Sequence, residues 1–107
     1  MTMQEKDREL LGLFSERVKK RIKGAKIWGF GSRARGEANL TSDFDILVVL
    51  PEMNSTEKKF ISDIAWEISY ENEILLAPIV YSLEKFNYPA IYKSSFIQSI
   101  LQEGIAV

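Results

Sequence analysis

The stretch Trp28-Gly29-Phe30-Gly31-Ser32-Arg33-Ala34-Arg35-Gly36, with Ser42-Asp43-Phe44-Asp45-Ile46-Leu47-Val48-Val49-Leu50 behind it, decides how this chain is read. In a strand successive side chains point to opposite faces, so Asp43 and Asp45 are expected on one face while Phe44, Ile46 and Val48 take the other. Two carboxylates so spaced, about 7 Å apart along the strand, converge on hard divalent cations. Mg2+ suits such a sparse set, because it takes one or two carboxylates and completes its octahedron with water and phosphate oxygens. The apolar run after Asp45 places both acids at the mouth of a buried strand, where an unpaired carboxylate is costly. They therefore need a cation, and a bland reading supplies Arg33 or Arg35 in place of a metal.

Upstream, Ala25 to Phe30 reads as a strand, and Gly29 and Gly31 remove side chains where the backbone must turn and approach a ligand. Ser32 falls at a helix start, where its hydroxyl can cap the helix or contact a phosphate and free backbone N–H groups favour an anion. Arg33 and Arg35 diverge by about half a turn on a helix, so only one faces bound phosphates, and Arg35 is favoured.

Gly31-Ser32-Arg33-Ala34-Arg35-Gly36 and Ser42-Asp43-Phe44-Asp45-Ile46-Leu47 together resemble the signature of the minimal nucleotidyltransferases, small prokaryotic members of the DNA polymerase beta-like superfamily. The resemblance implies an α+β fold, a small mixed β-sheet flanked by helices, in a single domain over residues 1–107. It implies two Mg2+ ions on Asp43 and Asp45, and a nucleoside triphosphate, expected to be ATP, with its phosphates over Gly31 and Ser32. Transfer of AMP to a hydroxyl would release pyrophosphate, by the two-metal template for in-line displacement. Small members of the family often pair with a separate helical protein, the higher eukaryotes and prokaryotes nucleotide-binding (HEPN) domain. By resemblance this chain would then be the antitoxin of a toxin–antitoxin pair, adding AMP to a tyrosine of its HEPN partner.

The chain departs from the family pattern at one point. Family members usually add a third acid from the next strand, yet Ile74 to Tyr81 carries neither Asp nor Glu. Glu73, with Glu71 beside it, is the nearest candidate for the third acid, at a helix end or in the connecting turn. An alternative to turnover follows: a nucleotide-binding or partner-blocking subunit that lacks the third carboxylate.

Composition excludes several other chemistries. The chain of 107 residues has no cysteine and no histidine, which rules out disulfides, thiolate zinc sites, Ser-His-Asp and Cys-His catalysis and imidazole metal centres. With 14 basic and 15 acidic residues the net charge is -1, which argues against direct nucleic acid binding. Eight basic residues nevertheless fall between Arg17 and Arg35, as a solvated helix face or as attraction for a triphosphate. No apolar run reaches membrane-span length and Met1 to Glu9 does not resemble a targeting peptide, so no membrane association and a cytoplasmic location are expected. Whether the chain is a monomer or a homo-oligomer is not readable.

Outside the motif, Leu10, Leu11, Phe14, Val18 and Ile22 predict an amphipathic first helix ending at Lys23-Gly24. Asn54 and Glu57 form a capping pair opening a second helix that buries Phe60, Ile61, Ile64, Ala65 and Ile68. Pro78 marks its strand as a sheet edge or bulge, and Ser82 to Phe86 is expected as a short turn. Pro89 to Glu103 predicts one last helix with Ile91, Tyr92, Phe96 and Ile100 inward, stopped by Gly104. The apolar tail Ile105 to Val107 either packs back on the sheet or serves a partner.

Overall fold

Phe44–Leu50 forms a strand, β2, that is fully buried except at Asp45, and a strand apolar on both faces must lie inside a sheet covered on both sides. The computed structural model describes residues 2–39 and 41–107; expectations touching Met1 and Leu40 lie outside them. In chain order the elements are α1 (Glu5–Arg21), β1 (Lys26–Phe30), α2 (Gly31–Arg35), β2, α3 (Ser55–Asn72), β3 (Leu76–Ser82), α4 (Leu83–Phe86), α5 (Pro89–Tyr92), α6 (Ser95–Glu103) and β4 (Ile105–Ala106). The sheet order is β3-β2-β1-β4. β1 runs antiparallel to both β2 and β4, and β2 runs parallel to β3. This is the expected α+β fold with a small mixed sheet between helices.

The alternation of β2 divides the core. Phe44, Ile46, Val48 and Leu50 face α1 and α3, where they meet Leu11, Phe14, Val18, Ile61 and Ile68. Leu47 and Val49 face the other way, against Phe86, Ile97 and Ile100. Asp45 belongs by its register to this second face. Helix α1 can seat closely because β1 carries Gly29 at the contact, where a Cβ would come within 2.7 Å of Leu11 Cδ2.

Helix α3 starts where expected, with Asn54 Oδ1 accepting from the Glu57 N–H at 2.9 Å. Of its expected core, Ile61, Ile64, Ala65 and Ile68 are buried; Phe60 is half-buried beneath the Arg21 guanidinium, 4.5 Å from its ring centre. β3 is an edge strand, which leaves room for Pro78. The segment Ser82 to Phe86 winds into the single turn α4, capped by Ser82 Oγ accepting from Lys85 N–H.

One expectation is corrected, and an alternative left open for the tail is decided in favour of packing on the sheet. Pro89 to Glu103 is not one helix: it breaks at Lys93-Ser94, where Ser94 Oγ donates to Ile91 O at 2.6 Å and accepts from Ile97 N–H at 3.2 Å. A serine that caps a new helix resets the phase, so Ile97 and Ile100 turn inward while Tyr92 and Phe96 are 42% and 46% exposed. The tail is no free apolar end; Ile105 and Ala106 pair with Gly29 and Trp28, and Val107 N–H donates to Ile27 O at 3.0 Å.

Candidate active site

Asp45 is the second residue of β2, opposite Phe30 of β1 and Ala77 of β3. Asp43 stands just before the strand and is exposed. The ladder begins one residue later than expected, with Phe44 N–H donating to Leu75 O at 2.8 Å, so Asp43 belongs to the approach loop and not to the strand face. The two acids still act on each other: burial first, and then the charge of Asp43, push the Asp45 carboxyl above its ordinary pKa.

Among the described residues neither aspartate enters an ion pair. The arginines that could have neutralised them go elsewhere. Arg35 bonds Glu37 at 3.2 Å on the surface. Arg33 is buried and bonds Asp7, in the first turn of α1, through one nitrogen at 3.0 and 3.3 Å. Its Nε donates to Ser42 O at 2.7 Å and its remaining nitrogen to Asn39 O at 3.2 Å. The bland pairing of the aspartates with Arg33 or Arg35 is thereby overturned.

That guanidinium also holds the loop that delivers Asp43. Within the loop, Asn39 Oδ1 accepts from Thr41 N–H at 2.9 Å and Ser42 Oγ accepts from Asn39 N–H at 3.0 Å, a turn built by short polar side chains. Gly31, the first residue of α2, closes the site just beyond β1. Its φ of +79° is a left-handed conformation, and a Cβ there would lie 2.5 Å from Asp45 Oδ2. Only glycine lets backbone and carboxylate approach so closely. Ser32 follows in the first turn of α2, where backbone N–H groups lack helical partners. An all-oxygen donor set of two carboxylates without an ion pair among the described residues, one of them packed against bare backbone, fits a hard cation completed by water and phosphate.

The profile of the family described as "Nucleotidyltransferase domain" matches residues 11–107. This chain belongs to the nucleotidyltransferase domain family. Two Methanocaldococcus jannaschii proteins, each named "putative protein adenylyltransferase", are similar to it. One is 37% identical over 79 residues, covering 73% of this chain and 73% of that protein. The other is 30% identical over 104 residues, covering 97% of this chain and 96% of that protein.

In this nucleotidyltransferase domain the remaining expected residues are dispersed. Arg35 is exposed at the rim of a cleft of about 530 Å³ between α2 and α6, which Gly31 also lines. Glu73 is the left-handed C-cap of α3, with φ of +57°, and opens on a different cleft with Asp7, Arg33 and Asn39. Glu73 does not gather with the aspartates, and among the described residues no group of three metal-ligating side chains forms. The strand neighbour of Asp45 on β3 is Ala77, so the position that could have brought a third acid beside it carries a methyl group. The Asp7–Arg33 clamp escaped the sequence reading because its partners are 26 residues apart; an acid in the first turn of a helix was its only local sign.

Two outcomes are expected. Because Asp45 is destabilised as an anion in the fold, its ionisation costs stability as pH rises from the unfolded carboxylate pKa through the raised folded value. Asp45→Asn should therefore raise the thermal midpoint at pH 7 without metal, and the gain should vanish near pH 3, both read by calorimetry. Asp7→Ala should cost about 3–5 kcal/mol in urea unfolding, because it leaves Arg33 buried without its carboxylate. The double variant Asp7→Leu/Arg33→Met should recover much of that stability and still lose nucleotidyl transfer, since the loop before Asp43 loses its tether.

Proposed function

We propose that this chain transfers the AMP moiety of ATP to a hydroxyl group of a protein, with two Mg2+ ions as cofactor. The observation that carries this reading is a pair of carboxylates that form no ion pair among the described residues, with Asp45 set against the bare backbone of Gly31 and Asp43 acting on it from the approach loop. Asp43 and Asp45 would hold the metal. When bound, Mg2+ would neutralise the triphosphate and favour ionisation of the acceptor hydroxyl. Gly31 and Ser32 receive phosphate oxygens where α2 begins, and Arg35 can turn to them from an exposed Glu37 pair worth less than about 1 kcal/mol. In the transfer the acceptor oxygen bonds to the α-phosphorus, the link from that phosphorus to the β-phosphate oxygen breaks, and pyrophosphate leaves with the electron pair while the acceptor gives up its proton.

The names of the two relatives support a protein as acceptor. The family resemblance points further, to a tyrosine of a helical HEPN-type partner, and so to the antitoxin of a toxin–antitoxin pair in the cytoplasm. Leu75 and Ile79, 57% and 36% exposed at the β3 edge, offer that partner an apolar surface. A second reading has its own observation: Ala77 beside Asp45, with Glu73 on a different cleft, favours a subunit that binds nucleotide or blocks a partner without turnover.

Incubation with α-labelled ATP, Mg2+ and a purified HEPN-type partner decides between them. Label on the partner and released pyrophosphate, both reduced at least 100-fold in Asp43→Asn, are expected from the transferase. ATP binding without label in the wild type would leave the silent subunit as the function. No ATP binding at all would remove the transferase and the nucleotide-binding subunit, and partner binding that ignores ATP and both aspartates would leave a partner-blocking subunit.

A further inference from the structure

The cleft between α2 and α6 begins at the catalytic turn, since Gly31 lines both. One wall is Phe30 and Phe96, whose rings meet edge to face at 5.6 Å. Phe96 keeps 46% of its surface in solvent, although helix α6 has two isoleucines buried on its inner side. The rest is mixed: the hydroxyls of Ser95 and Ser99, the Arg35 guanidinium and the Glu103 carboxylate.

We infer that this cleft receives the nucleoside half of the donor nucleotide, with the base stacked on Phe96, so that α6 selects the base. The inference rests on the transferase or ATP-binding reading given above. Four features favour a nucleoside over other occupants. The volume of about 530 Å³ lies within the range of pockets that enclose small ligands. An exposed aromatic ring beside a polar rim suits the flat face of a base. Serine hydroxyls and a carboxylate suit the hydroxyls of a ribose or an exocyclic amine. Continuity with Gly31 and Arg35 lets one molecule put its phosphates at the aspartates and its base in the cleft. Phosphate itself is unsuited to the whole length, because Glu103 would repel it.

Calorimetric titration of MgATP and of Mg-tripolyphosphate, which shares the phosphates but has no nucleoside, tests this. Phe96→Ala should bind MgATP about tenfold more weakly, in the range of one lost base–aromatic stack, and bind Mg-tripolyphosphate as the wild type does. Ser99→Trp, an exposed position that fills the cleft, should abolish MgATP binding and spare Mg-tripolyphosphate, with circular dichroism unchanged in both variants. Wild-type affinity for MgATP in both variants would overturn the inference and leave the proposed function standing. So would a loss confined to the KM of the protein acceptor, which would assign the cleft to the acceptor. A wild-type chain that binds neither ligand would overturn the inference together with the reading beneath it.

Discussion

A buried guanidinium must be matched on every side or it unfolds its surroundings, and Arg33 is matched by groups from three places in the chain. Asp7 brings the start of α1, while the carbonyls of Asn39 and Ser42 bring the loop ahead of β2. One side chain thus ties the first helix to the turn after β1 and to the approach of Asp43. The same arrangement has an electrostatic consequence. With Arg33 bound to Asp7 and Arg35 turned outward to Glu37, the two aspartates at the start of the central strand form no ion pair among the described residues.

That leaves a site poorer in stability than its neighbourhood. Asp45 is partly withdrawn from water, lies near a like charge and faces a glycine held at positive φ. The partial burial and the like charge each disfavour the ionised carboxylate, and the completely buried residues on either side of Asp45 on β2 hold it in place regardless. A partly buried, like-charged pair of acids gathered at one point is characteristic of a site that a ligand completes.

Much of this could be read from local pattern. The apolar run of β2, the Asn54 cap, the Ile61–Ile68 face and the edge position implied by Pro78 all depend on neighbours within one or two turns, and all appear as expected. What escaped depends on distance or on a single competing cap. Nothing near Arg33 announces Asp7. The periodicity of Ile91, Tyr92, Phe96 and Ile100 looked like one helix, but the Ser94 hydroxyl divides it and leaves Phe96 in the cleft beside Gly31. In the site, Gly31 meets Asp45 as expected and Asp43 acts on Asp45 from the approach loop and not from the strand face that alternation predicts; Arg35 reaches only the adjoining cleft, and Glu73 lines the other cleft, where it closes α3.

The central claim is that no cationic group among the described residues pairs with Asp45, which leaves it open to the proposed metal. Carbon-detected NMR titration of its carboxyl, with and without MgATP, measures this at the atom concerned. The account predicts a pKa above the ordinary aspartate value in the metal-free chain, falling when MgATP is added. A metal-free value below the ordinary one, unmoved by MgATP, would show that a protein cation already holds the carboxylate and would contradict it.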